Sequence, residues 1–493
     1  MMREDSTKAN VVARDGDVDV VVIGVGTSGE DLSLQLLDEG LKVVGIANGL
    51  VGGECAYWGC IPSKMMIRAA STLHEGQLVN SMAGFSRVTP DWAPVAKRLN
   101  EATSGWNDAI AIDRYHKRGG RLIKGVGRIT GPRTVAVGNE SFRARYGVVV
   151  AVGSKPFIPP LPGLAELDYW TTYDIMQLKK LPASLIILGG GAIGCELGQV
   201  MARFGVDVKI VERGDHLLGA EEPEVAQILE ATFAEEGINI YTRAAASKVS
   251  FTKGMFVLGL EDGKELTAER LLVAAGRKPD LNGLGLEAAG ISNTSGFIEV
   301  DDRMRAGDGI WAMGDVTGKA MFTHVALYQS AIIASDILGR SHPPATYHAV
   351  PRAVFSDPEI GAVGMTELEA RKAGIEVTVI IKQLPVTFRG WIHAVKDGII
   401  KLIINSRENT LIGASMAAPS AGEVLGMLTM AVHSRMPINE LRSMIYAYPT
   451  FFGGIGEALG AYGRGVSSVF DPDYKGAKVL DEVIEKLQIT PRE

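Results

Sequence analysis

Gly52-Gly53-Glu54-Cys55-Ala56-Tyr57-Trp58-Gly59-Cys60-Ile61-Pro62-Ser63-Lys64 holds two of the three cysteines in the chain, with four residues between them. Pro62 closely follows Cys60, and a helix-like run over residues 65–70 comes next. Proline suits the first turn of a helix, where its missing N–H costs nothing. The pattern therefore predicts Cys60 at a helix N-terminus. The partial positive charge there stabilises a thiolate and lowers the thiol pKa. A thiolate beside a second cysteine meets the requirement for reversible thiol–disulfide exchange. Two other readings compete. Metal ligation by zinc asks for four ligands, and the only further cysteine is Cys195. Two inert buried thiols are the other, but an acidic chain nearly devoid of other cysteines favours a redox pair.

The chain has 493 residues, enough for about three domains. Its net charge of −7 argues against a nucleic-acid partner. No apolar run approaches the roughly 18 to 20 residues that span a bilayer, so no membrane role is expected. Residues 1–17 are polar and charged, lack the apolar core of a secretory signal, and are expected to be a disordered lead. With only three cysteines, a cytoplasmic enzyme is the expectation.

Outward from the cysteine stretch lie two glycine-rich loops. Residues 19–23 form a β-branched apolar run, followed by Gly24-Val25-Gly26-Thr27-Ser28-Gly29, a helix-like segment over 32–39 and a second strand over 42–46. In such a βαβ unit Gly24 permits the tight turn, Gly26 lets the backbone approach a pyrophosphate, and Gly29 lets helix and strand pack closely. Free N–H groups at the helix start then hold the phosphates. A second unit opens at Ser184, with Gly189-Gly190-Gly191-Ala192-Ile193-Gly194 as its loop and Glu212 at the end of its second strand. A carboxylate there accepts the ribose 2′-hydroxyl and repels a 2′-phosphate, which favours NAD(H). Arg213 follows directly and keeps NADPH possible.

With these loops in place, Gly-Gly-x-Cys-x4-Cys-Ile-Pro-Ser-Lys resembles the redox-disulfide signature of the FAD-dependent pyridine nucleotide–disulfide oxidoreductase family. The resemblance runs over residues 18–465. It implies an α/β fold with two Rossmann-like dinucleotide-binding domains and a C-terminal α+β dimerisation domain. The implied division is 18–155 for the first part of the FAD domain, 156–280 for the NAD domain, 281–345 for the second part of the FAD domain and 346–470 for dimerisation. A tail, 471–493, contains an amphipathic stretch over 475–487. The resemblance also implies site residues. Cys60 is the thiol next to the flavin and Cys55 the one that exchanges with substrate. Lys64 and Glu196 form a pair near the flavin N5. Gly53, Gly153, Gly314-Asp315, Ala326 and Gly276 line the cofactor regions, with no metal site. Residues 156–162 read as a linker, rich in proline. Trp92 and Trp106 read as packing residues.

The chain departs from the family pattern in three places. Ala47 stands where a carboxylate usually binds the adenosine ribose, with Asn48 beside it. Tyr448 and Gly453 replace the histidine and glutamate of a His-Pro-Thr-x-x-Glu stretch that the partner subunit supplies in relatives. None of the eight histidines lies in that segment, and Glu457 is too far along to serve by count. An unperturbed tyrosine is a poor base at neutral pH. The C-terminal cysteine pair of some members is also absent. The expected function is hydride transfer from NAD(P)H through FAD to a Cys55–Cys60 disulfide and on to a small-molecule acceptor, in a homodimer. The alternative is a divergent member that uses the scaffold for a non-redox reaction or for binding, with altered or lost FAD use.

Overall fold

A computed structural model describes residues 18–293 and 295–462. The expected N-terminal lead and the amphipathic tail lie outside those residues. Val18–Ile23 is the middle of the first sheet. Its β-branched residues favour extended backbone, and Val20, Val21 and Val22 are fully buried, as a strand covered on both faces requires. It pairs in parallel with Val43–Ala47 on one side and with the end of Glu140–Val150 on the other. The helix Thr27–Asp38 makes the crossover between the first two strands. It starts earlier than the 32–39 pattern suggests, because Gly26 already serves as its N-cap. Ile310–Ala312 adds to Glu140–Val150 in parallel, so a segment far along the chain completes this sheet. The strand order reverses at Val18–Ile23, and the crevice beyond the strand ends at such a switch point is where ligands bind in α/β sheets.

The second sheet is wholly parallel, in the order Asn239–Tyr241, Asp207–Val211, Ser184–Leu188, Arg270–Val273. A three-stranded antiparallel sheet, Ala246–Thr252, Met255–Leu260 and Glu265–Ala268, is attached to it. The stretch expected to be a plain linker begins as a strand. Lys155–Pro156 pairs antiparallel with Arg277–Lys278, so the two crossings between the halves run side by side. The third sheet has five antiparallel strands, ordered Pro351–Val354, Glu359–Gly364, Thr410–Ala418, Ile399–Asn405, Val377–Gln383. The helices Ala421–His433 and Phe451–Tyr462 share its apolar core. This is the expected α/β fold with an α+β C-terminal region.

One buried ion cluster joins the second and third sheets. The Lys401 ammonium lies 2.8 Å from both Glu222 and Glu224 and 3.0 Å from Glu367, with its side chain 2% exposed. The carboxylates sit close enough together to suggest a cation site, but the ammonium already fills that role. Burial opposes the Lys401 charge, and the hydrogen bonds it donates to Glu222 and Glu224 outweigh that and hold the pKa above the usual lysine value. Among the described residues, no helix is long and apolar enough to cross a membrane.

Candidate redox and dinucleotide site

The cysteine segment is docked on the first glycine loop. Gly26 and Gly52 form a parallel bridge, and the Thr27 hydroxyl donates to the Gly52 carbonyl at 3.0 Å. Gly53, at φ 68°, lies so close that a Cβ there would stand 2.7 Å from the Gly26 Cα. A short helix, Gly53–Tyr57, carries Cys55, and the long helix Cys60–Met82 begins at Cys60 itself. Cys60 therefore occupies the N-terminus that Pro62 predicted, although the helix runs well beyond residues 65–70.

Both thiols are free and half-buried. Cys60 is held well below the usual thiol range, at about 6. The largest cause is the Cys55 thiol donating to it. Burial opposes this, and the Thr323 hydroxyl, 3.5 Å away, and the Lys64 charge add to it. Cys55 is pushed up, first because it gives its proton to that hydrogen bond and then by burial. The opposite directions favour the thiolate on Cys60 and the proton on Cys55. Thr323 opens the helix Thr323–Ile337 that also carries Ala326. Sequence reasoning passed over this threonine. Its one signal was its place three residues before Ala326, on the same helix.

Lys64 and Glu196 meet at 2.7 Å, and the Lys64 ammonium stands 4.7 Å from the centre of the Phe355 ring. The other oxygen of Glu196 accepts from the Phe355 N–H at 2.9 Å. One contact thus joins the cysteine helix, the second glycine-loop helix and the entry to the third sheet. Cys195, next to Glu196, is buried with its thiol on the Gly190 carbonyl, and burial pushes its pKa up. It is a packing residue.

A cavity of about 990 Å³ opens along the crevice. Gly24, Gly26, Gly53, Cys55, Cys60 and Lys64 line one part of it. Gly153, Gly314, Asp315, Ala326 and Glu196 line another, with Ala47 and Asn48 at the end of the second strand. Whether these residues fit a flavin dinucleotide is tested by the loop. A Cβ at Gly24 would stand 2.3 Å from the Ala151 carbonyl oxygen, and one at Gly29 2.0 Å from the Gly24 oxygen, so both glycines serve close packing behind the loop. At Gly26 only the Gly53 Cα lies within reach, at 3.8 Å, which leaves space in front of an uncapped helix N-terminus. That is the cradle a pyrophosphate needs. Asp315 accepts from Ser154, and the Gly314 N–H is bonded to Gln329 at 2.7 Å.

The second loop repeats the pattern. A Cβ at Gly189 would meet the Ala274 oxygen at 2.4 Å and one at Gly194 the Gly189 oxygen at 2.0 Å, whereas Gly191 is open. Glu212 is held at the strand end by the N–H groups of Gly190 and Gly214, at 2.8 and 2.7 Å. Gly276, at φ 116°, turns the chain next to this loop, and its carbonyl accepts from Phe157.

Tyr448 is not part of this cavity. It is 70% exposed and packs edge-on against Phe388, with ring centres 5.4 Å apart. Gly453, where a glutamate would orient a histidine, bonds its N–H to the Thr450 hydroxyl at 2.8 Å. Glu457 pairs with Lys382 instead. Trp92 is buried, and Trp106 stacks on Trp58 with 6.0 Å between ring centres, so both pack.

The comparisons with known proteins bear on the whole chain. Residues 18–330 match the model of "Pyridine nucleotide-disulphide oxidoreductase", and 350–459 match its dimerisation domain. Curated relatives include a mercuric reductase of Acidithiobacillus ferrooxidans, 32% identical over 92% of this chain and 84% of its own. A dihydrolipoyl dehydrogenase of Thermus scotoductus is 31% identical over 90% and 97%. Among solved structures, the HOCl-induced flavoprotein disulfide reductase RclA of Escherichia coli superposes with a TM-score of 0.79 at 27% identity, covering 90% of this chain and 99% of its own. LpdA of Mycobacterium tuberculosis gives 0.80 at 27%, covering 90% and 100%. On the matched domains, the glycine loops and the paired cysteines, the chain belongs to the pyridine nucleotide-disulphide oxidoreductase family and is an FAD- and NAD(P)H-dependent oxidoreductase.

Proposed function

We propose that this oxidoreductase works as a homodimer, prefers NADH, and passes electrons to planar small molecules such as quinones far more readily than to disulfides or dithiols. The observation that carries this is Tyr448, an exposed ring resting on Phe388 where relatives place a histidine. Disulfide turnover needs a proton moved at the exchanging sulfur. General acid–base catalysis of that kind contributes roughly 100- to 10,000-fold. Gly453 has no side chain to orient a base. Among the described residues the histidine whose ring does reach this segment, His393, packs against Phe451 with 5.2 Å between ring centres and is held below the usual imidazole value by burial and the Arg389 charge. A quinone that takes electrons at the cofactor needs no such base.

The open loop at Gly26, with Gly53 against it, would hold the FAD pyrophosphate, and FAD bound there would supply hydride acceptance from the nicotinamide and two-electron delivery onward. The chain's own residues do the rest. The second loop and Glu212 bind the nicotinamide nucleotide, and Glu212 repels a 2′-phosphate. Lys64, fixed by Glu196, places positive charge where negative charge develops on reduction. Cys55 and Cys60 form a disulfide when oxidised. On reduction Cys55 keeps its proton and Cys60 holds the thiolate. Only three cysteines in 493 residues fit a reducing, cytoplasmic setting.

The test compares lipoamide, glutathione disulfide and a benzoquinone at saturating NADH, in the wild type and in Tyr448→His. The wild type should turn over the quinone and barely use either disulfide, and the histidine should raise disulfide turnover. Efficient disulfide reduction by the wild type would overturn this reading.

A further inference from the structure

Glu54 directly precedes Cys55 and lines the same cavity. Its carboxylate is gripped twice from the nucleotide-binding half. The Tyr173 hydroxyl donates to one oxygen. The Arg277 guanidinium stands 3.2 Å from the other, which is buried and has no hydrogen bond of its own. Arg277 is itself fixed. It donates to the Ser154 hydroxyl at 2.9 Å and to the Ser154 carbonyl at 2.6 Å, on the two strands that cross between the halves. Tyr173 is fixed too, because the Trp58 ring meets it edge-on with 5.2 Å between centres.

The cysteine segment is therefore held at both ends by carboxylate contacts. Lys64 to Glu196 secures the end beyond Cys60, and Glu54 to Tyr173 and Arg277 secures the end before Cys55. Cys55 must keep its thiol aimed at Cys60, while the nearby hydroxyls have other partners, Thr27 on the Gly52 carbonyl and Thr323 on the Cys60 sulfur. A five-residue helix entered through a glycine at φ 101° does not hold that orientation by itself. We propose that Glu54 is a positioning residue: the Tyr173–Glu54–Arg277 clasp keeps the Cys55 thiol aimed at Cys60. This rests on the reading of Cys60 as the thiolate of the reduced pair.

The sign of the effect separates positioning from simple charge. If Glu54 acted only as a nearby negative charge, removing it would make the Cys60 thiolate easier to form. If it positions Cys55, removing it weakens the hydrogen bond to the thiolate and makes it harder to form. The groups that face Cys60 are otherwise Thr323 and Lys64, and neither is altered.

The experiment titrates thiolate absorbance in the reduced holoprotein, as a difference against Cys60→Ser so that the flavin cancels. Glu54→Ala and Tyr173→Phe should each raise the midpoint by about one pH unit, the worth of a weakened hydrogen bond to a charged group. The double variant should shift no further than the larger single one, since both open the same clasp. Asp215→Asn, which removes an exposed ion pair with Arg243, should leave the midpoint in place. A midpoint that falls or stays in Glu54→Ala, with Tyr173→Phe also unmoved, overturns the clasp. Should Glu54→Ala fail to fold, Tyr173→Phe decides alone. A wild type with no thiolate below about pH 8 overturns the Cys60 reading itself, a separate failure.

Discussion

Replacing Thr323 by valine tests the chemistry of the cysteine pair most directly. The substitution keeps the branched shape and removes one hydroxyl, which lies 3.5 Å from the Cys60 sulfur. A hydrogen bond to a charged group contributes about 1.5 to 3 kcal/mol net. The sulfur acceptor and the long distance put this one at the low end, about 1.5 kcal/mol. One pKa unit corresponds to about 1.4 kcal/mol, so the loss is worth about one unit. Cys60 should move from about 6 toward the usual thiol value. The sign follows from which form the hydroxyl stabilises. It donates to the thiolate, so its loss penalises the charged form and the thiolate fades at a higher pH. Cys55→Ala should raise the midpoint further than Thr323→Val, because the Cys55 thiol is the larger cause. The assay is thiolate absorbance against pH in the reduced protein, with Cys60→Ser as blank and the thermal midpoint checked in each variant. An unmoved midpoint in Thr323→Val, or a larger shift there than in Cys55→Ala, would refute this ordering of causes.

Three further outcomes are expected. Glu212→Ala should narrow the NADH preference, read by stopped-flow cofactor reduction with each nucleotide; faster, tighter reduction of the wild type by NADPH would contradict the role given to Glu212. Ala47→Glu should retain FAD through dialysis better than the wild type, with a dissociation constant lower by roughly tenfold for one added charge-assisted hydrogen bond; equal retention would discard the idea. Lys401→Met should cost about 3 to 5 kcal/mol by leaving three carboxylates facing one another in a buried site, measured by chemical denaturation at neutral pH; a stability within 1 kcal/mol of wild type, by the same scale, would mean that water or protonation relieves the cluster.

The architecture was legible in the sequence because its signals are local. Residues 18–23 are β-branched and the loop at Gly24 follows at once, so strand, turn and helix announce themselves in a dozen positions. The same holds for the loop at Gly189, and there even the strand-ending Glu212 was readable, since one side chain at one register position does the work. The pairing of Lys155–Pro156 with Arg277–Lys278 was not readable. Two residues of strand carry no periodicity, and a proline-rich stretch looks the same whether it wanders or lies on an edge. Lys401 was equally hidden. Its strand, Ile399–Asn405, reads as apolar with one charge, and nothing nearby in sequence says that three glutamates from other elements converge on it.

The site divides along the same line. Cys55 and Cys60 stand in one short motif and were picked out by residue type and spacing, whereas Lys64 and Glu196 were named from the family resemblance. Some of the groups that act on the cysteines come from elsewhere. Thr323 reaches Cys60 across 263 positions, and Tyr173 reaches Glu54 across 119. Neither threonine nor tyrosine is marked by composition, and each acquires its role only because the fold carries a helix start to the mouth of the cavity. Glu54 shows the point most sharply. In the sequence it is an unremarked residue inside the redox motif, and a lone glutamate is read as a surface charge. In the fold it is the place where the motif is attached to Tyr173 and to the strands that cross between the halves. On the proposed clasp, long-range contacts add to the local Cys55–Cys60 interaction in deciding which thiol keeps its proton. A relative with the same motif and a different residue at position 54 or 173 would place its thiolate on different terms.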